Sequence, residues 1–274
     1  MSVKLIRMLV RQILSEGIYD PGVLKAIFMA GGPGSGKSFT AKAIFGGDTA
    51  EGAALQASTD MGLRLVNSDP AFEMFLKKAG VDPKTLGELP EEEFEALTSS
   101  EDPNSPRSKA KRLRDTQRGH LETGRVGMVI DGTGDNYEKI SRKKEMLEDM
   151  GYDTFMVFVN TTLDMAQQRN AQRDRVLPEE LVEEVWTDVQ ANLGGFQNLF
   201  GNNFRIIDNT EYEWGPAEEA AVDTARAFVE SPLQNPVGRA WAEEQFAEKE
   251  RTHGPEDAER KAPGQRDRLL GKKD

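Results

Sequence analysis

The 274 residues carry 35 Lys and Arg against 47 Asp and Glu, a formal net charge of −12. That excess argues against a general nucleic-acid coat or an anionic membrane surface as partner, and leaves only a local basic cleft for anions. Cysteine is absent and histidine occurs twice, which excludes disulfides, thiolate metal sites and cysteine nucleophiles together and disfavours zinc chemistry. The length suits one large α/β domain, or a domain with appendages, and no apolar run reaches the length of a membrane span.

In "MSVKLIRMLVRQILSEG" the residues Leu5, Met8, Leu9 and Ile13 recur at helical spacing. They predict an amphipathic helix over 1–20 that packs on its own domain or docks on a partner. Lys4, Arg7 and Arg11 interrupt the apolar run and no small-residue cleavage site follows, so the stretch is a poor signal peptide and a cytoplasmic protein is expected.

Next comes "AIFMAGGPGSGKSFTAKAIFG" (26–46), an apolar segment, a glycine-rich turn and a helical pattern. Gly31, four intervening residues and Gly36-Lys37-Ser38 fit the phosphate-binding pattern G-x-x-x-x-G-K-[ST], with the strand before and the helix after that it requires. The loop Gly31, Gly32, Pro33, Gly34, Ser35 and Gly36, continued by Lys37, Ser38 and Phe39, is the expected nucleotide-binding element. Its backbone N–H groups and the helix N-terminus suit a polyphosphate, Lys37 would reach the β- and γ-phosphates, and the Ser38 hydroxyl would hold Mg²⁺.

Five apolar, turn-bounded segments alternate with helical pattern: 26–30, 63–68, 126–131, 154–159 and 204–208. The alternation predicts a three-layer α/β sandwich around a five-stranded, mainly parallel sheet over 21–230. At the carboxyl ends of the strands, where such sheets bind ligands, stand the phosphate loop, "NSD", "DGTGDN", "NTT" and "DNT". The acidic stretch within 81–106, with Pro83 and Pro90, reads as a solvated insertion without chemistry. The segment 107–125 reverses that charge, with seven Lys and Arg against Asp115 and Glu122. It is either a solvated helix pairing with the insertion or a positive wall for an anionic substrate, nucleic acid included.

Asp69 ends the second strand, beside the phosphate loop if that strand neighbours the first. It can take the proton of an acceptor hydroxyl, cap the helix begun by "DPAFEMF", or do both. Asp131 ends the third strand, where a carboxylate holds Mg²⁺ directly or through water. Gly132 and Gly134 turn the chain tightly and leave Thr133 and Asn136 to meet substrate. Arg169 and Arg173 lie four apart on one helical face, with Arg175 just after and a Pro178-led helix beyond. Two helices joined by an arginine-bearing turn suit a lid that closes over phosphates and neutralises transition-state charge. From Ser231 onward Pro, Gly and balanced charges predict a helix near 238–250 and a flexible tail, with Trp241 and Phe246 packing back or docking on a partner.

The order GGPGSGKS, NSD, VIDGTG, FVNTTLDMAQQRNAQR and IIDNT resembles the zeta-toxin and polynucleotide-kinase branch of P-loop kinases, and is similar to zeta-toxin-like kinases of large tailed phages, over roughly residues 20–230. The resemblance implies a nucleoside-triphosphate-dependent kinase with Asp69 as base, Asp131 with Thr133 at substrate or metal, and Arg169, Arg173 and Arg175 in the lid. Zeta toxins commonly carry glutamate where this chain has Asp131. Zeta toxins phosphorylate a UDP-amino-sugar and polynucleotide kinases a 5′-hydroxyl, so the resemblance leaves the acceptor open; ATP and Mg²⁺ are the expected donor and metal. Phage relatives also admit an assembly component that binds ATP as a structural ligand and docks through its termini.

Overall fold

The computed structural model describes residues 17–46, 59, 61–173, 176–211, 213–254 and 263–271. The helix expected over the first residues lies outside them, apart from a single 3₁₀ turn at Gly17–Tyr19. Five strands form one sheet: β1 (Lys25–Ala30), β2 (Arg64–Val66), β3 (Met128–Asp131), β4 (Asp153–Asn160) and β5 (Phe204–Asp208), in the order β2-β3-β1-β4-β5 with every pairing parallel. Successive side chains of a strand face opposite ways, so a strand covered on both faces must be apolar throughout. The run "KAIFMA" of β1 is buried at all six positions.

The two faces carry separate cores. Phe28, Met128, Ile130, Met156 and Phe158 point to one side, under α7 (Glu179–Phe200) and α5 (Tyr137–Asp149). Ile27, Met29, Val129, Phe155 and Val157 point to the other, under α1 (Lys37–Phe45) and α8 (Pro216–Glu230). This is the three-layer α/β sandwich expected. The strand order carries one correction: β2 does not neighbour β1, because β3 lies between them. Burial gives the reason, since Met128, Val129 and Ile130 are all buried whereas Arg64 and Leu65 of β2 are only partly so, which suits an edge.

The acidic insertion is more ordered than its composition implies. After α2 (Asp69–Lys78), a 3₁₀ segment Pro83–Glu88 and α3 (Glu91–Thr98) close a small third core of Ala71, Phe72, Leu76, Leu86 and Ala110. Its last residue comes from α4 (Pro106–Gly124), the basic segment. The Ser105 side chain accepts from Ser108 N–H to cap α4, and its hydroxyl donates to the Ser99 carbonyl, so the insertion fixes where the basic helix begins. The remaining rim helix is α6 (Leu163–Ala171).

Residues beyond 230 close the domain. The expected flexible tail is corrected between Gln265 and Leu270, which form α10 with Leu269 fully buried and its carbonyl accepting from Leu233 N–H. In α9 (Pro236–His253) Trp241 lies under the Arg125 guanidinium at 5.0 Å and Phe246 is buried, so both pack back on the domain. An ion pair organises this region: Lys25 Nζ sits 2.9 Å from Asp153 Oδ2, and Asp153 also accepts from the N–H groups of Gln234 and Asn235. No helix among the described residues is long and apolar enough to cross a membrane.

Removing one member of a buried pair leaves the other charged and uncompensated. Asp153→Ala is therefore expected to cost about 3–5 kcal/mol in urea unfolding and to loosen α9. Asp223→Ala, whose carboxylate is exposed, should leave the midpoint unchanged.

Candidate active site

The loop after β1 is shaped by what packs against it. Gly36 has φ +87, and a Cβ there would collide with the Asn209 amide, which itself donates to the Ser35 carbonyl at 2.8 Å. Gly34 has φ +76 and abuts the Ala166 carbonyl of α6. Only glycine tolerates both the left-handed backbone and the close approach. Helix α1 starts at Lys37 with no side-chain cap, so its first-turn N–H groups are available to an anion. Ser38 is exposed in that first turn. Phe39 is 57% exposed and meets Trp214 edge-on at 5.3 Å. The Lys37 ammonium donates to the carbonyls of Gly31 and Gly32, and burial, only partly offset by Asp131, holds its pKa below the ordinary lysine value.

Register brings the carboxylates to this loop. Met29 of β1 pairs with Asp131 of β3, so Asp131 stands beside the start of the loop. Its Oδ2 accepts from the Asn67 amide at 2.8 Å, while Asn67 Oδ1 accepts from Asp69 N–H at the same distance. One side chain thus ties the Asp131 carboxylate to the backbone of Asp69, although β2 and β1 are not adjacent. Burial pushes the Asp131 carboxyl up to about 6; Lys37 opposes that shift and the charge of Asp69 adds to it. Asp69 opens α2 and pairs with Arg107 of α4 at 3.1 Å.

A cavity of about 300 Å³ opens over these groups, lined by Lys37, Asn67, Asp69 and Asp131 on one side and by residues of α4 and α5 on the other. Thr133 lines it with its hydroxyl bonded to Asp135, and its carbonyl accepts from Gly31 N–H. Asn136 lines it too, with its side chain accepting from Lys139 N–H as the cap of α5. Asn192 of α7 donates to the carbonyls of Gly134 and Asp135 and fixes the "DGTGD" turn.

The two arginines expected on one helical face separate. Arg169, in the last turn of α6, donates to the carbonyls of Asn209 and Thr210 beside Gly36. Arg173 lies beyond the helix end, and its charge acts on both Lys37 and Asp131. The helix stops at Ala171, which breaks the four-residue spacing. Arg175 lies outside the described residues.

The donor set suits Mg²⁺ rather than a dedicated metal cage. Asp131 Oδ1 is buried without a partner beside the phosphate loop, and no cluster of three His, Cys, Asp or Glu occurs among the described residues. Mg²⁺ needs only one or two protein oxygens when phosphates and water complete its octahedron. Residues not singled out from sequence include Asn67, Arg107, Lys139 and Lys143. The last two carried a readable signal, a basic i, i+4 pair on the helix that follows "DGTGDN".

A parallel α/β sheet with a phosphate loop after its central strand defines a P-loop NTPase-like protein. A family model described as "AAA domain" matches residues 27–195, and the chain belongs to that family. Curated protein sequences give no match. Among solved structures, one from the PezAT chromosomal toxin–antitoxin system of the human pathogen Streptococcus pneumoniae aligns at TM-score 0.49 and 11% identity, covering 84% of this chain and 96% of that one. A structure of AvrRxo1-ORF1:-ORF2 with ATP aligns at 0.44 and 13%, covering 98% and 85%. Shikimate kinase from Acinetobacter baumannii in complex with shikimate aligns at 0.36 and 16%, covering 77% and 97%.

The raised value of Asp131 sets a pH dependence. Its folded-state pKa, about 6, exceeds the unfolded value of 3.8, so the folded state holds the proton more tightly and stability falls as pH rises through that window. Asp131→Asn is expected to be more stable than the native chain at pH 8 by roughly 1–3 kcal/mol, with the difference vanishing below pH 4. Paired thermal melts at the two pH values measure this, and an unstable variant at pH 8 would mean that Lys37 fully compensates the carboxylate.

Proposed function

We propose that the protein is a kinase that transfers the γ-phosphoryl group of ATP, with Mg²⁺, to a hydroxyl of an acceptor held in the cavity. The observation that carries this reading is the convergence of Lys37, Asp69 and Asp131 on one cavity, where Asn67 links the Asp131 carboxylate to the Asp69 backbone N–H. The acceptor oxygen would form a bond to the γ-phosphorus as the bond to the β–γ bridging oxygen breaks, ADP leaving with that electron pair. Asp69 would take the hydroxyl proton. Lys37 and the uncapped first turn of α1 would bind the phosphates, and Arg173 would neutralise the charge that builds between donor and acceptor. Mg²⁺, held by Ser38 and Asp131, would supply further neutralisation of the phosphate oxygens.

Arg169 takes a different part from Arg173, since its guanidinium is engaged by loop carbonyls next to Gly36. With the exposed edge of Phe39 and Trp214 nearby, it borders a surface suited to the nucleobase. Little covalent work falls to the protein, so positioning and electrostatics supply most of the rate.

Transfer from γ-labelled ATP with Mg²⁺, run against pooled sugars, nucleosides, their phosphates and 5′-hydroxyl oligonucleotides, tests this directly. Lys37→Ala should abolish transfer, and Asp69→Asn should retain ATP binding while losing roughly 10²–10⁴-fold in rate. Equal transfer by the native chain and Asp69→Asn would discard the base assignment.

A further inference from the structure

We propose that the wall formed by α4 and α5 is an oxyanion site separate from the phosphate loop, and that the acceptor is a small molecule already carrying a phosphate group. The second half rests on the kinase reading above; the first does not. Arg107, Lys111 and Arg114 recur at i, i+4 and i+7 along α4, and Lys139 and Lys143 at i, i+4 along α5, and all five line the cavity. With Lys37 that makes six cations against the three carboxylates Asp69, Asp131 and Asp135, in a chain whose net charge is −12.

The counter-charges are incomplete. Arg107 pairs with Asp69 and Arg114 with Asp115, but among the described residues Lys111 donates only to the Ser100 hydroxyl, and Lys139 and Lys143 make no ion pair with a carboxylate. The cations repel one another across the cavity. The Lys111 pKa is lowered by burial and then by Arg107, Lys139 and Arg114, and that of Lys143 is lowered to about 8 by burial and then by Arg118, Arg114 and Lys139. Like charges converging in a concave, partly desolvated space are unfavourable by themselves and focus the field on an anion. A phosphate monoester, with nearly two negative charges and three acceptor oxygens, matches such a set of donors better than a single carboxylate does.

Two features favour a small acceptor over a strand of nucleic acid. The cavity, at about 300 Å³, is at the low end for small-molecule sites. Among the described residues the only aromatic lining it is Phe28, buried in the core, and it offers no platform on which successive bases could stack. Arg107 belongs both to the wall and to the Asp69 ion pair, which places a phosphate held by the wall next to the carboxylate assigned to the acceptor hydroxyl.

The test separates the two halves. With the phosphate loop saturated by Mg²⁺ and a non-hydrolysable ATP analogue, inorganic phosphate and pyrophosphate are titrated calorimetrically at low salt into the native chain, Lys111→Ala/Lys143→Ala and the milder Lys139→Gln. The native chain should bind one further oxyanion, the double variant should bind it at least roughly tenfold more weakly, and the analogue's affinity should not change. No additional binding, or equal affinity in all three proteins, overturns the site. In the transfer assay, label should enter only the phosphorylated members of matched acceptor pairs, with KM raised and kcat nearly kept in the double variant. Label in the unphosphorylated members, or a 5′-hydroxyl oligonucleotide preferred over the matching mononucleotide, overturns the small phosphorylated acceptor while leaving the kinase standing. Oxyanion binding with no transfer to any pool refutes the kinase reading and the acceptor half with it, and upholds the wall.

Discussion

Asp131 and Lys37 share one half-buried space at the carboxyl end of the sheet, and much of the surrounding architecture keeps them there. Neither charge is at ease: burial raises the carboxyl and lowers the ammonium, and each is the main local offset for the other. Holding them together requires β3 to lie directly beside β1, so that Met29 and Asp131 pair in register. The crossover that puts β3 there also creates the point where the strand order reverses, which is where an open α/β sheet leaves a crevice for ligands. The helices then lock the two loops. Asn192 of α7 holds the turn after β3, and Asn209 after β5 holds the Ser35 carbonyl of the phosphate loop.

Charge is compartmentalised around this centre. The acidic insertion and the basic helix α4 lie next to each other in the chain, and their packing through Leu86, Ala110 and Phe72 separates their roles. The glutamates of α3 have no buried member and face solvent, whereas Arg107, Lys111 and Arg114 turn toward the cavity. An insertion without polar chemistry of its own therefore still acts on the site, because it sets the rotation and starting point of the helix that carries the cations. At the opposite end of the sheet the Lys25–Asp153 pair ties the chain after Ser231 to β1 and β4, which supports the same strand that leads into the phosphate loop.

The sequence made the sandwich and the phosphate loop legible, since continuous apolar runs and a glycine pattern are local signals. What it hid depended on non-local pairing or on where a helix stops. That β3 lies between β2 and β1 follows from relative burial of two short strands, a property of the assembled sheet. That Arg169 and Arg173 part company follows from α6 ending at Ala171, a boundary that the polar run "RNAQRDR" does not mark. The fold of 265–270 rests on Leu269 entering the core, Leu270 packing beside it and Gln265 bonding the Ile18 and Asp20 carbonyls, from a strongly charged segment, too weak a pattern to read in advance. Lys139 and Lys143 were readable as a basic helical pair, but their convergence with α4 required the third dimension.

Arg107 joins these threads. It is at once a member of the cationic wall, the ion-pair partner of Asp69, and a cap over the Phe72 ring of the third core at 5.1 Å. Any charge arriving at the wall is consequently felt by the Asp69 carboxylate, through one guanidinium rather than through a chain of contacts. The insertion, the basic helix and the reactive rim meet in that side chain. The unneutralised lysines, the orphaned Asp131 oxygen and the uncapped start of α1 all cluster within the same rim, whereas Lys25 and Asp153, remote from it, are fully partnered. Unneutralised cations, an orphaned carboxylate oxygen and an uncapped helix start gathered at one rim are the physical mark of a surface shaped for ligands rather than for stability.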